Sequence, residues 1–348
     1  MIGKVLKIFA IATVILLVSG IIYMKISLPQ LPANADRVIA EVIKTGPPPL
    51  KGQEGYAYNG NVKIWYESRM PDDSLRGTIL LIMGMSNDAL SWPEYFIDPL
   101  VESGYQVVRM DNRGTGLSDW EGDWSLFDSY TLEDMALDAI AVLDLLKIET
   151  SHVIGISLGG MITQTLAIHH PKRVSTLTSI MSSGYMMDDE LPATKPILVT
   201  DLFMANLRYG LVKSESNTIK LHLLGRALLK GDNKYDINVE ETAKSVLYNY
   251  RNRKGDNPLS FQQQTQAILK SGSRYEGLQQ LNIPTLIIHG VNDPMVPFEH
   301  GKKCYEMIPN ARKLWIDGLG HDIPELYAET ISKEILKLIK DHPKDEVR

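Results

Sequence analysis

The sequence predicts an α/β fold: a mostly parallel sheet with helices on both faces and a helical segment inserted late in the sheet. Three observations predict it. Short apolar, β-rich runs alternate with helical stretches from about residue 55 onward, the pattern of parallel strands joined by crossover helices. Five of these runs lead into glycine-containing turns or loops: "GMSND", "DNRGTGLSD", "GISLGG", "GVNDP" and "GLGHD". From about Tyr185 to Ser273 the alternation stops, and the chain reads as helices broken at Gly210, Gly231 and "KGDNP".

The chain begins with "MIGKVLKIFAIATVILLVSGIIYMKIS", in which Lys4 and Lys7 precede seventeen uncharged residues, Ile8 to Met24, and Lys25 follows. That run sits at the lower length limit of a membrane span and exceeds a usual signal core. Val18-Ser19-Gly20 is a poor cleavage site, and Ala33-Asn34-Ala35 lies too far from the apolar run. The expectation is an uncleaved single-pass anchor over residues 1–25, with a cleaved signal as the alternative. Lys4 and Lys7 compete with Lys25, Arg37 and Lys44 for orientation. The short N-tail places the remainder of the chain outside the cytoplasm. Residues 26–54 read as a connector, with "SLPQLP", a short helix near Arg37 to Lys44 and a stiff "GPPPLKG" spacer.

The core is expected over 55–184 and 274–348, and the helical stretch 185–273 as a cap. Thr78 to Met83 is a buried strand, and Gly84 permits the turn after it. "YQVVRM" is the next strand. "TLEDMALDAIAVLDLL" is the clearest helix, with Thr131 as N-cap and Asp134 at the third helical position. Ser151 to Ile156 is a strand. Leu158 to His169 is a helix, ended by His170-Pro171. A further strand ends near Met181. Thr285 to His289 and Lys313 to Asp317 are strands, and Pro324 opens the last helix.

No loop separates Ile156 from Leu158, so the backbone reverses around Ser157 and strains it. Strain of that kind persists at functional sites. Gly155 and Gly159 remove side chains that would collide, and Ser157 is lifted at the first turn of a helix, the strand–turn–helix setting of a nucleophile. A tight packing turn is the bland alternative. A serine needs a base. Of eight histidines, His169 and His170 lie at the far end of the following helix, and His152 at the opposite edge of the strand. His222 falls in the helical stretch, His300 and His342 read as surface positions, and His289 reads as a local hydrogen-bonder. His321 sits in a loop at the carboxyl edge of a strand, where catalytic groups of α/β sheets gather. Asp293, in a turn at the same edge, is the acid that would orient it; an ordinary Asn-Asp turn is the alternative for that fragment, and Asp188 and Asp189 are alternative acids. Oxyanion donors are expected at Leu158 N–H and Met85 N–H, with Gly84 as the alternative. Asp111 and Arg113 read as a structural ion pair.

Composition narrows the rest. The chain has 348 residues and net charge −6 without a basic patch, which argues against nucleic acid. Its one cysteine, Cys304, excludes an internal disulfide framework and reads as core filler. Neither H-E-x-x-H nor paired C-x-x-C appears, so no metal is indicated. Gly318-Leu319-Gly320 lacks the third glycine of a dinucleotide loop, since Ile323 stands there.

The Met-Gly-Met turn, "DNRGTGLSD", "GISLGG", "GVNDPMVP" and "GLGHD", with the order Ser157, Asp293, His321, resemble the α/β-hydrolase superfamily over nearly everything after residue 55. "LIMGMSNDALSWP" is similar to the branch that includes aclacinomycin methylesterase, where Met-Gly replaces the common His-Gly. That resemblance implies hydrolysis of carboxylic esters without a cofactor. Thioesterase, acyltransferase or aminopeptidase chemistry would use the same groups, and a binding protein on this fold would usually have lost one of them. Soft apolar residues, Trp92, Met161, Met186 and Met295 with Met83, Met85, Tyr185 and Met187, are expected at the site's mouth, so the partner expected is a small apolar ester. Asp188, Asp189 and Glu190 keep an amine-binding peptidase open.

Overall fold

The computed structural model describes residues 2–120, 129–231 and 235–342. Helices α1 (Ile2–Ile26) and α2 (Ala35–Thr45) precede a hairpin of β1 (Gln53–Asn59) and β2 (Val62–Arg69). The core continues with β3 (Gly77–Ile82), α3 (Glu94–Glu102), β4 (Tyr105–Met110), α4 (Leu132–Leu145), β5 (Ser151–Ile156), α5 (Leu158–His169) and β6 (Val174–Ile180). Among the described residues, four helices follow without a strand: α6 (Pro196–Tyr209), α7 (Glu215–Leu229), α8 (Val239–Asn252) and α9 (Ser260–Ser271). The chain then returns through α10 (Tyr275–Gln279), β7 (Thr285–Gly290), α11 (Phe298–Met307), β8 (Arg312–Ile316) and α12 (Glu325–Asp341).

The eight strands among the described residues form one sheet in the order β1-β2-β4-β3-β5-β6-β7-β8. β1, β2 and β4 pair antiparallel, and every pair from β4–β3 to β7–β8 is parallel. β3 shows how the sequence makes a sheet buried on both faces. Its Ile79 and Leu81 enter a core with Phe96, Ile97, Ile331 and Ile335 of α3 and α12. Its Leu80 and Ile82 enter the opposite core with Met135, Val142, Ile162 and Leu166 of α4 and α5. At the start of α4 the Thr131 hydroxyl accepts from Asp134 N–H while the Asp134 carboxylate accepts from Thr131 N–H, a complete capping box. Because β3 to β8 are parallel, the loops after them lie along one edge of the sheet.

The segment before the sheet is packed onto the four-helix insertion. α2 buries Ala35, Ile39 and Val42 against Ile219 and Leu223 of α7 and Ala243 and Leu247 of α8. Leu28 is buried with Ala205 and Leu224. The expected single-pass placement is corrected here: among the described residues, no helix is long and apolar enough to cross a membrane. The uncharged run of seventeen residues spans about 25 Å as a helix, short of a hydrocarbon core of about 30 Å. The last turn of α1 is engaged with the protein instead. Tyr23 donates its hydroxyl to Asp201 at 2.7 Å, and the Met24 carbonyl accepts from Arg208 at 3.2 Å.

Candidate active site

Ser157 is the hinge between β5 and α5, with φ 56° and ψ −120°. That backbone is rare for a residue with a side chain, and neighbouring glycines make room for it. A Cβ on Gly155 would lie 2.1 Å from the Gly159 carbonyl oxygen, and one on Gly159 would lie 2.0 Å from the Ile82 carbonyl oxygen. Ser157 N–H donates to Ile180 at 2.8 Å, and the Ser157 carbonyl accepts from the Ser182 hydroxyl at 2.7 Å. The reversal is thus pinned to the end of β6, with the amino terminus of α5 beginning at Leu158. The turn after β3 packs against the serine: a Cβ on Gly84 would be 3.2 Å from Ser157 Cβ and 3.8 Å from its Oγ.

Asp293 is buried in the turn after β7. Its Oδ1 accepts from Met295 N–H at 2.8 Å and Val296 N–H at 2.9 Å. Its Oδ2 lies 2.7 Å from His321 Nδ1. A carboxylate can only accept, so Nδ1 carries the proton and Nε2 of His321 is left as the basic nitrogen. His289 stands 3.5 Å from the same Oδ2. Its Nε2 faces the Val296 carbonyl at 2.9 Å, which fixes the proton on Nε2. Burial holds His289 below the usual imidazole range, against the pull of Asp293.

Two of the site's loops are held by the insertion. His321 N–H donates to Leu229 at 2.7 Å, and Gly320 N–H to Lys230 at 3.1 Å, both at the end of α7. Arg226 of α7 forks onto the Asp322 carboxylate at 3.0 Å. In the loop after β3, Ser86 N–H donates to Gln264 Oε1 of α9 at 2.8 Å. Arg253, after α8, bonds Asp88 at 3.3 Å and also Asp111, which accepts from Ala89 N–H at 2.9 Å. Burial pushes the Asp111 carboxyl up to about 6, with Arg253 opposing it.

Several sequence expectations change. Asp111 and Arg113 are not each other's partners: Asp111 pairs with Arg253, and Arg113 with Asp138 at 2.6 Å. His300 is not a surface residue but is buried, accepting from the Ser183 hydroxyl at 2.8 Å and donating to Pro192 at 3.0 Å. Asp188 is engaged by the Tyr275 hydroxyl at 2.5 Å and Lys303 at 3.8 Å, and Glu190 by Lys303 at 3.2 Å. Trp92 lies in the core with its ring stacked on Phe96 at 5.2 Å, so it leaves the set of residues at the mouth. Met161 is buried in the same cluster as Leu158, against which Met85 and Met186 pack as half-buried residues; Met295 is also half-buried. Cys304 is buried, and burial pushes its thiol up to about 11. Gln264, Arg226 and Arg253 escaped sequence reasoning. Each is one polar residue in a polar helical stretch, and nothing local marks it as turned inward.

Comparison with known proteins places the fold. Residues 77–326 match the alpha/beta hydrolase fold family. Rhodomycin D methylesterase DnrP of Streptomyces peucetius is 29% identical over 290 residues, covering 80% of this chain and 95% of that protein. The bifunctional esterase/perhydrolase DCH of Acinetobacter calcoaceticus is 26% identical, covering 80% of this chain and 96% of its own length. A solved bacterial membrane phospholipase A superposes with a TM-score of 0.62 over 97% of this chain and 99% of its own, at 19% identity. That likeness is one of fold alone.

Proposed function

The chain belongs to the α/β-hydrolase family, and on that premise we propose that it is a serine hydrolase that cleaves carboxylic esters of apolar substrates through an acyl-enzyme. The observation that carries the reading is the pair of Ser157 in its strained hinge and His321 with Nδ1 held by Asp293 at 2.7 Å. His321 Nε2 takes the Ser157 proton as Oγ attacks the ester carbonyl carbon. Leu158 N–H, first in α5, and Met85 N–H, in the turn packed on the serine, hold the oxyanion. Collapse breaks the ester C–O bond, and the departing alkoxide takes from His321 the proton that came from Ser157, leaving as the alcohol. Water then attacks the acyl-enzyme with the same base, releasing the acid and restoring Ser157. Asp293 keeps the imidazole in one tautomer and stabilises its transient charge.

The insertion α6 to α9 is read as a cap over this edge. Met85, Met186 and Met295 supply an adaptable apolar lining, with Met161 beneath. The methylesterase relatives support an ester as the substrate. Engagement of Asp188 and Glu190 by Tyr275 and Lys303 weighs against a free acid cluster for a peptide amine, and so against an aminopeptidase.

The test is labelling with a fluorophosphonate probe, followed by kcat/KM on p-nitrophenyl esters of rising acyl length, a hydrophobic methyl ester and alanyl and prolyl anilides. Ser157→Ala should abolish labelling and ester turnover and leave the thermal transition in place. Labelling that survives in the variant would put the nucleophile elsewhere. Turnover should rise with acyl length; an anilide turned over faster than every ester would replace the esterase by a peptidase.

A further inference from the structure

We propose that Gln264, on α9, is a positioning residue for the oxyanion-binding amide of Met85. The proposal rests on the reading of Met85 given above. Gln264 is fully buried. Its Oε1 accepts from Ser86 N–H at 2.8 Å and its Nε2 donates to the Arg113 carbonyl at 3.2 Å. It therefore ties the loop after β3 to the loop after β4 through one side-chain amide, and no other neutral side chain of that length offers both an acceptor and a donor there.

The bond falls where it controls Met85. The Met85–Ser86 peptide is gripped at both ends: Gln264 takes its N–H, and Asn87 Nδ2 donates to its carbonyl at 3.0 Å. Ser86 has φ 61°, a left-handed conformation that a residue with a side chain keeps only where its surroundings impose it. Next to Gln264 on the same helix, the Thr265 hydroxyl contacts Met85 Sδ at 3.9 Å. Without the Gln264 acceptor, the part-buried Ser86 N–H turns toward another partner, because leaving such a donor unpaired costs free energy. Turning that peptide changes the Met85 ψ and disturbs the Thr265 contact to the Met85 side chain, so the adjoining Gly84–Met85 peptide, which carries the Met85 amide, loses the hold that aims it at the carbonyl beside Ser157. The oxyanion exists only in the transition state, so the damage falls on kcat and spares KM.

The experiment compares wild type with Gln264→Leu, Gln264→Met and Gln264→Glu, counting competent sites by fluorophosphonate titration to completion. Per titrated site, kcat on the best ester should fall about tenfold to a hundredfold in the Leu and Met variants, with KM nearly unchanged. Affinity for an alkyl trifluoromethyl ketone, which forms a tetrahedral oxyanion with the serine, should fall in parallel with kcat/KM. Gln264→Glu keeps an acceptor for Ser86 N–H and should retain more activity per site than Gln264→Met. A purely structural role would reduce the number of titratable sites and leave kcat per site and ketone affinity alone. That result, or equal kcat in the Glu and Met variants, overturns the proposal. If Gln264→Leu does not fold, the Met and Glu pair decides. Failure of the underlying reading looks different: wild type itself would then escape labelling at Ser157 and ignore the ketone.

Discussion

The hinge at Ser157 and the loop carrying His321 sit on the same edge of the sheet, yet they are built in opposite ways. The hinge is held by its own neighbourhood in the core. Gly155 lies against Gly159, Gly159 against Ile82, and the Ser157 amide bonds to the end of β6. The His321 loop leans on the insertion, through Leu229, Lys230 and the Arg226–Asp322 pair. The loop after β3 is intermediate, packed on Ser157 but fastened by Gln264 and Arg253. On the proposed reading, the nucleophile is thus prepared by backbone sterics, and the base by a partner element about a hundred residues away in sequence. The first cannot be adjusted without breaking the core, whereas the second responds to whatever moves the insertion.

The largest effect should come from the hinge. Gly159→Val puts a branched side chain onto the Ile82 carbonyl, where backbone faces backbone and no rotamer escapes. We expect a cost above about 3 kcal/mol and no probe labelling, read by thermal unfolding and by fluorophosphonate gel. A stable, labelled variant would mean the hinge can relax, and the contrast with the His321 loop would dissolve.

Arg226→Met comes next. It leaves the Asp322 carboxylate partly buried and unpaired, at a cost of about 2 kcal/mol, and loosens the residue adjoining His321. Turnover should fall by about tenfold or more, while every folded molecule still carries Ser157. Adding Asp322→Leu removes the stranded charge, so the double variant should regain stability without regaining turnover. Recovery of both would show that Arg226 serves stability alone.

The smallest effect is expected at Asp188, which touches Tyr275 and Lys303 but neither catalytic loop. Asp188→Ala should change ester turnover by less than about threefold. A loss near that of Asp293→Ala would make Asp188 the acid that orients His321.

The same contrast explains what could be read from the sequence. β5 and α5 are found at the residues expected, Ser151–Ile156 and Leu158–His169, because apolar runs, glycines and Pro171 are local signals. The edge positions of Asp293 and His321 were legible for the same reason, since a strand followed by a glycine-rich loop announces itself. What failed was partner choice over distance. Arg113 stands two residues from Asp111, yet its carboxylate is Asp138, and the cation for Asp111 comes from Arg253, 142 residues further on. Ser86 and Gln264 are 178 residues apart. His300 looked like a surface residue because its helix is polar, and only the packed fold shows its ring filling the gap between Ser183 and Pro192. The apolar run at the amino terminus was legible as a helix, but its length was marginal for a span and its docking on Asp201 and Arg208 was not visible.

The place of the insertion has a consequence for biosynthesis. Strands β1 to β6 are complete at Ile180, and β7 begins only at Thr285. A ribosome adding about 5–20 residues per second needs several to about twenty seconds to cross that interval. Throughout it, β6 is the outer strand of a growing parallel sheet, with a ladder of unpaired backbone groups along its free edge. Its sequence, "VSTLTSI", is β-prone and carries no charge to discourage a second nascent chain. The insertion therefore sets how long the chain waits between the synthesis of β6 and that of its neighbour β7.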